Sequence, residues 1–296
     1  MNNRPECLPC CLRRILHTAE RATTDEWLHR KILAEAMQAL SRVDDKATPA
    51  EVIHVVARKT GKTLGVADPY LEEKRRWIEE TTGNAAWIRS VVASSPDPFL
   101  AALRLSIAAN VLDCELRQDF VKGLNLKSLM EGSDAIPFAT ENVEDFRQAV
   151  RGAGKVLFIH DSAGEIFFDR LLIEEVRKLR QPPMDIVSAV RSVPILADAT
   201  REDALAVALE EVATVIDLGI DCLGVPLSAC SEEFRECYRA ADVIVAKGQA
   251  SFETLEGKDS RIDGLEKQVF FLLRVKCALL ARYLGASVGD IVLERT

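Results

Sequence analysis

The chain has 296 residues, 48% of them apolar and 28% charged, with a formal net charge of −8. That is a soluble, globular composition, enough for one large domain or two moderate ones. The acidic balance argues against non-specific binding to nucleic acid or to an anionic membrane, and the longest apolar runs meet charges well short of a membrane span.

Residues 1–120 read as helical throughout. CLPCCLRRILHTAERA, DEWLHRKILAEAMQALSRV and PAEVIHVVARKTG repeat apolar residues at three- and four-residue spacing. Asp25 is placed to cap the second helix, and Pro49 suits the first turn of the third. DPYLEEKRRWIEETTGNAAWIRSVVASS continues the pattern until Pro96, Asp97 and Pro98 interrupt it, and DPFLAALRLSIAANVLD predicts one more helix. Residues 121–140 read as a polar connection.

From residue 141 the texture changes. EDFRQAVRGAG predicts a helix, KVLFIH a short buried strand and DRLLIEEVRKLR a helix; MDIVSAVR and VPILAD follow as apolar runs. EDALAVALEEVATVIDLG comes next, SEEFRECYRAA leads into the run DVIVAKG, and EKQVFFLLRVKCALLARYLG predicts a long apolar helix across the sheet. GDIVLERT is placed for a final strand. Strand runs alternating with helices indicate a mostly parallel sheet covered on both faces. The expected fold is therefore α/β: a three-layer α/β/α core over 141–296, preceded by an all-helical N-terminal cap over 1–120.

Three apolar runs end on charged residues: VLFIH on Asp161, VPIL on Asp198 two residues later, and DVIVA on Lys247. Residues at the carboxyl ends of strands line the ligand crevice of an open α/β sheet. Two carboxylates and a lysine delivered there suit a hard divalent cation and a phosphorylated substrate. Each also has a plainer reading. Asp161 and Asp198 could cap the helices that follow them, and Lys247 could pair with a structural acid, since buried lysine is almost always paired. Ser162 offers a hydroxyl beside Asp161, and Gly164 permits close backbone approach. Gly248, Gln249 and Ser251 could add phosphate donors after Lys247. GQASFET is not a P-loop, and no GxGxxG fingerprint occurs in the chain. Glu165, Asp169 and Asp203 are secondary candidates, with Asp169 expected to cap its helix and Asp203 to face solvent in a first turn. Asn110 and Asp113 share a helical face near a helix end, as a polar wall or as helix termination.

Eight cysteines occur, at 7, 10, 11, 114, 222, 230, 237 and 277. Cys114, Cys222 and Cys277 lie in apolar surroundings and read as packing residues. Cys7 and Cys10, with Cys11, could form half of a zinc site, but the usual second pair is absent, and free thiols are the expectation. The four histidines do not cluster: His160 adjoins Asp161, while His17, His29 and His54 read as ordinary helix residues. MNNRPECLPCCLRR lacks the continuous apolar region of a signal peptide, so the expected location is the cytoplasm.

These segments together resemble the metal-dependent damage-control phosphatases, the family once called domain of unknown function 89. The resemblance runs through ECLPC, AANVLD, HDSAGEIFFDRLLIEE, VPILADATREDA, ADVIVAKGQASFETL and FFLLRVKCALLARYLG, in that order. It implies hydrolysis of phosphate monoesters of small metabolites such as sugar phosphates, with a divalent ion (Mn2+, Co2+ or Ni2+, with Mg2+ as a further choice). It matches the family's metal-binding aspartates to Asp161 and Asp198, its phosphate-contacting lysine to Lys247, and its asparagine–aspartate motif to Asn110 and Asp113. The chain departs from the family pattern at three places. Ser162 stands where the family has a metal-binding asparagine, Ala197 where an asparagine commonly precedes the second aspartate, and Ala250-Ser251 where Gly-Asn is usual. Ser162 can still ligate through its hydroxyl or a bound water. The implied partner is a small phosphorylated metabolite, with no nucleic acid and no membrane, and the oligomeric state is left open. The departures sustain an alternative: a weak or inactive protein that keeps the fold and binds or senses phosphometabolites.

Overall fold

In the computed structural model, residues 1–113, 125–133, 136–262, 264 and 267–295 are described, with only the backbone at 113, 140, 141, 258 and 259. Cys114 and the side chain of Asp113 lie outside that description.

Six helices come first: α1 (Cys7–Ala22), α2 (Glu26–Leu40), α3 (Pro49–Leu64), α4 (Leu71–Gly83), α5 (Ala85–Ser94) and α6 (Pro98–Ala108). Local chemistry sets their ends. Asp25 caps α2 by accepting from Trp27 and Leu28 N–H, and α3 opens with Pro49 behind a Thr48/Glu51 capping box. Asp97 caps α6 ahead of Pro98. Helices α1–α3 bury their own small cluster, centred on Cys11, Ile15, Ile32, Ala36, Val52 and Val56. A 3-10 turn, Ala109–Asp113, ends this region.

The sheet has seven strands: β1 (Phe138–Glu141), β2 (Lys155–Ile159), β3 (Asp185–Val190), β4 (Thr214–Asp217), β5 (Val243–Lys247), β6 (Val269–Arg274) and β7 (Ile291–Arg295). Their order is β1-β7-β6-β5-β2-β3-β4. Every pairing is parallel except β6 with β7. Alternation along the strands separates two cores. Val156, Phe158, Ile186, Val245 and Phe270 pack with α6, α8 (Val143–Gly152) and α9 (Ile166–Lys178). Leu157, Ile159, Val187, Ile244 and Phe271 pack with α11 (Glu232–Ala240), α12 (Gly248–Leu255) and α13 (Ala278–Leu284). The result is an all-helical N-terminal region followed by a three-layer α/β/α core, as expected.

Four stretches differ from the sequence reading or are specified only by the structure. The run expected to be one long terminal helix is β6 followed by the short α13, because VFFLLR is buried on both sides as an interior strand. EDALAVALEEVATVIDLG breaks into α10 (Arg201–Ala206), a 3-10 turn at Leu209–Glu211 and edge strand β4; Ala208, at φ 52, interrupts the helical path. VPIL is a loop rather than a strand, with Leu196 at φ 49. The connection at 121–140 contains α7 (Leu126–Gly132) and most of β1.

Candidate functional site

Strands β5, β2 and β3 lie side by side. All three run parallel, so their carboxyl ends open on one edge of the sheet. Asp161 follows β2, Lys247 ends β5, and Asp198 lies in the loop between β3 and α10. That loop folds back onto β2. Ser162 and Asp198 form an isolated antiparallel bridge. Ala199 N–H donates to the Asp161 carbonyl at 2.7 Å, and Ala163 N–H donates to the Ala197 carbonyl at 2.9 Å. The two aspartates are thereby placed on adjoining backbone, and both are buried.

Each is held by a different group. Asn110, in the 3-10 turn after α6, donates from Nδ2 to Asp161 Oδ2 at 3.0 Å. The Asn110 amide oxygen in turn accepts from Arg274 N–H at 3.4 Å. The helical region thus delivers one side chain directly to the sheet edge. Gly164 lets that turn pack closely, since a Cβ there would stand 2.9 Å from Leu112 Cβ. Gly248 brings the start of α12 against Asp161: its φ is +79°, and a Cβ would lie 1.9 Å from Asp161 Oδ2, so only glycine fits. Asp198 is bonded at Oδ2 by Arg191 Nε, 2.6 Å away, and both partners are buried. Neither aspartate side chain caps a helix: the N-caps of α9 and α10 are Glu165 and Thr200.

Lys247 stands differently. Its ammonium is fully buried and donates to Ser106 carbonyl, Ser106 Oγ and Asp169 Oδ1, each at 2.7 Å. The partnership with a structural acid is therefore present. Asp169 is no helix cap, contrary to expectation. It is buried and also accepts from His160 Nδ1 at 2.9 Å and from Ser106 Oγ at 2.6 Å. Burial opposes ionisation of Asp169, but the Lys247 charge and the His160 hydrogen bond outweigh it and hold the carboxyl below its usual range. Glu165 goes the other way. Burial pushes its carboxyl well above the usual range, and Asp169 and Asp161 add to the rise against the opposing charges of Lys247 and Lys276. Asp203, expected to face solvent, is buried. It closes a capping box with Thr200 and pairs with Lys74 at 2.9 Å.

Buried polar atoms normally find partners. Here Ser162 Oγ, Glu165 Oε2, His160 Nε2, Arg191 Nη2, Gln249 Oε1 and Ser251 Oγ are buried without a hydrogen-bond partner among the described residues. All six follow the carboxyl ends of β2, β3 and β5. Each such atom costs about 1–3 kcal/mol unless something else satisfies it. Their concentration marks this edge as built for a polar ligand.

The donors suit a hard cation. Asp161, Asp198 and Ser162 are oxygen donors on bridged backbone, and the Ser162 hydroxyl lacks a partner. Among the described residues no group of three or more His, Cys, Asp or Glu side chains is arranged to hold a metal, so a third ligand has to be the serine, water or substrate. The N-terminal thiols are not disposed as thiolate ligands. Burial raises the pKa of Cys7, Cys10 and Cys11, that of Cys11 to about 12, and the seven described cysteines are free. Cys277 is not simply a packing residue: its sulfur accepts from Leu280 N–H at the start of α13 and from Gln249 Nε2.

Arg191 and Lys276 were not singled out in the sequence. Arg191 directly follows the apolar run DIVSAV, so the strand-end rule that found Asp161 and Lys247 applies to it equally. Lys276 carries no comparable signal, because the apolar run preceding it has the pattern of a helix.

The sequence model of the damage-control phosphatase ARMT1-like domain matches residues 4–292. A damage-control phosphatase of Pyrococcus horikoshii is 34% identical over 295 residues, covering 98% of this chain and 96% of its own. One of Archaeoglobus fulgidus is 31% identical over 290 residues, covering 97% of each chain. The crystal structure of a DUF89 family protein from P. horikoshii superposes with a TM-score of 0.84 at 32% identity, covering 100% of this chain and 99% of that one.

Proposed function

The chain belongs to the damage-control phosphatase family, also called DUF89 or ARMT1-like, and on that premise we propose that it is a metal-dependent hydrolase of phosphate monoesters of small metabolites, sugar phosphates among them. The observation that carries this reading is the set of unpartnered polar atoms at the ends of β2, β3 and β5, beside two bridged aspartates.

Asp161, Ser162 and Asp198 would hold the cation. When bound, Mn2+, Co2+, Ni2+ or Mg2+ supplies charge neutralisation at the phosphoryl oxygens and polarises the phosphorus for attack by water. The chain's own groups do the rest. Asn110 fixes the Asp161 carboxylate, and Arg191 fixes that of Asp198. Gly248, Gln249 and Ser251, at the start of α12, offer backbone and side-chain contacts to the phosphate. Lys247 contributes positive charge from beneath the site. Direct contact between its ammonium and a phosphoryl oxygen requires exchange of a Ser106 or Asp169 bond.

Full commitment of the Lys247 ammonium also favours a second reading, in which the chain binds phosphometabolites with little or no turnover. One experiment separates them. The purified protein is offered a panel of sugar phosphates with Mn2+ or Co2+, with and without chelator. Chelator-sensitive release of inorganic phosphate supports hydrolysis. Calorimetric binding of a panel member with release at background supports the second reading. Neither binding nor release, with metal shown to be bound, would sink both.

A further inference from the structure

We propose that Arg191 is the positioning residue of this site: it locks the second aspartate in place and couples it mechanically to helix α12. The inference rests on the metal-site reading of Asp161 and Asp198.

Arg191 is 1% exposed and immediately follows β3. Its main chain is fixed first. Arg191 N–H donates to the Ala199 carbonyl at 2.8 Å, and Arg191 bridges Thr200 in parallel register. The guanidinium then points two ways. Nε holds Asp198 Oδ2 at 2.6 Å, and Nη1 holds the Gly224 carbonyl. Gly224 is itself pressed onto α12. At φ +71°, a Cβ there would lie 2.6 Å from both the Ala250 carbonyl and the Thr254 side chain. Val225 N–H donates to Thr254 Oγ1 at 2.7 Å. The other end of α12, at Gly248, lies against Asp161. Asp161 and Asp198 return to each other through the Ser162–Asp198 bridge.

The contacts therefore close into a ring: Asp161, α12, the Gly224 turn, Arg191, Asp198 and back. Arg191 suits this link because its rigid planar fork holds Nε and Nη1 in fixed, diverging directions, whereas an ammonium on a flexible stem is not preorganised in that way. Its remaining nitrogen, Nη2, is buried without a partner among the described residues, so the side chain is kept there at a cost in desolvation. Groups of this kind, which orient a ligating side chain from behind, typically change metal affinity by about 10–100-fold when altered.

Two arms test this on the intact chain. In the first, Mn2+ is titrated into metal-free protein and the free ion is followed by electron paramagnetic resonance. Arg191→Lys is expected to weaken Mn2+ binding at least ~10-fold, with the circular dichroism spectrum unchanged and Arg191→Gln as a second variant. Asp198→Asn weakens binding too, and the double variant Arg191→Lys/Asp198→Asn should bind no more weakly than Asp198→Asn alone, since Arg191 acts through Asp198. Additive losses, or an Arg191→Lys affinity equal to the parent's, would overturn the proposal.

In the second arm, amide hydrogen exchange is followed without metal. Arg191→Lys should speed exchange at 195–200 and at 248–255 together. Faster exchange in the first segment alone would overturn the coupling. A parent protein that binds no Mn2+ defeats the metal-site reading, while the exchange arm still decides the ring.

Discussion

Two clusters of buried charge in this molecule are put together differently. In one, Lys74 of α4 is 3% exposed and pairs with Asp68 at 3.1 Å and Asp203 at 2.9 Å. Asp68 also accepts from Tyr70 N–H, and Asp203 from the Thr200 N–H and hydroxyl. Net attraction to the two carboxylates raises the Lys74 pKa although burial opposes it. In the other, at the ends of β2, β3 and β5, buried polar atoms of Ser162, Glu165, Arg191, Gln249 and Ser251 are left without hydrogen-bond partners among the described residues. The first cluster is complete in itself and fastens α4 to α10. The second leaves hydrogen-bonding capacity unused among the described residues, and on the proposed reading a ligand takes it up. Burial of charge is common to both; the unmet hydrogen bonds distinguish a ligand site from a scaffold joint.

The sharpest way to break that comparison is to substitute one member of each. Asp161→Asn should lower phosphate release by roughly three orders of magnitude, the loss of several kcal/mol of metal-dependent stabilisation. Its urea midpoint should stay near the parent's, because an amide keeps the shape beside Asn110. Global unfolding of that variant would make Asp161 a scaffold residue. Loss of Asp198 should not stabilise the protein, since Arg191 pairs with its carboxylate and would be left buried without it.

Lys74→Met should show the mirror image. Two buried carboxylates lose their cation, at a cost of about 3–5 kcal/mol in urea unfolding, while kcat per folded molecule is retained. Loss of turnover without loss of stability would place Lys74 in the working site.

Glu253 gives a third test, by pH. Burial raises its carboxyl from the ordinary 4.5 to about 7, and Gln249 Nε2 donates to it at 2.7 Å. Between those values the folded protein keeps a proton that the unfolded chain has released. This contribution to stability is therefore full below the unfolded pKa and is lost as pH rises through that window, by up to roughly 3 kcal/mol. Glu253→Gln should flatten the difference between urea unfolding at pH 5 and pH 8. An unchanged slope would assign the dependence to another group.

The smallest effect is expected at the thiols. Cys7→Ser/Cys10→Ser should leave phosphate release unchanged and cost no more than about 1–2 kcal/mol, since both thiols are half-buried and a serine hydroxyl there can still reach water. Loss of a bound zinc together with activity would contradict this.

Much of the fold was legible because period and punctuation agreed. Asp25, Pro49 and Asp97 mark helix starts in the sequence and occupy them in the structure. VFFLLR was misread because an interior strand and a buried helix both appear as a continuous apolar run. The break at Ala208 had no signal, since neither glycine nor proline stands there. At the site, strand-end position was legible for Asp161 and Lys247. What each residue touches was not: Asp169 lies 78 residues from Lys247, and Ser106 lies 141. Only packing of α6 against α9 and the sheet joins those three, and sequence spacing holds no trace of it.

The central claim is that Asp161, Ser162 and Asp198 form a divalent-cation site at the sheet edge. It is tested most directly by crystals grown with Mn2+ and examined at the manganese absorption edge. An anomalous peak within coordination distance of Asp161 and Asp198, with Ser162 Oγ or its bound water completing the shell, is the predicted result. A peak elsewhere with none at the sheet edge, in protein shown to hold the ion, would contradict it.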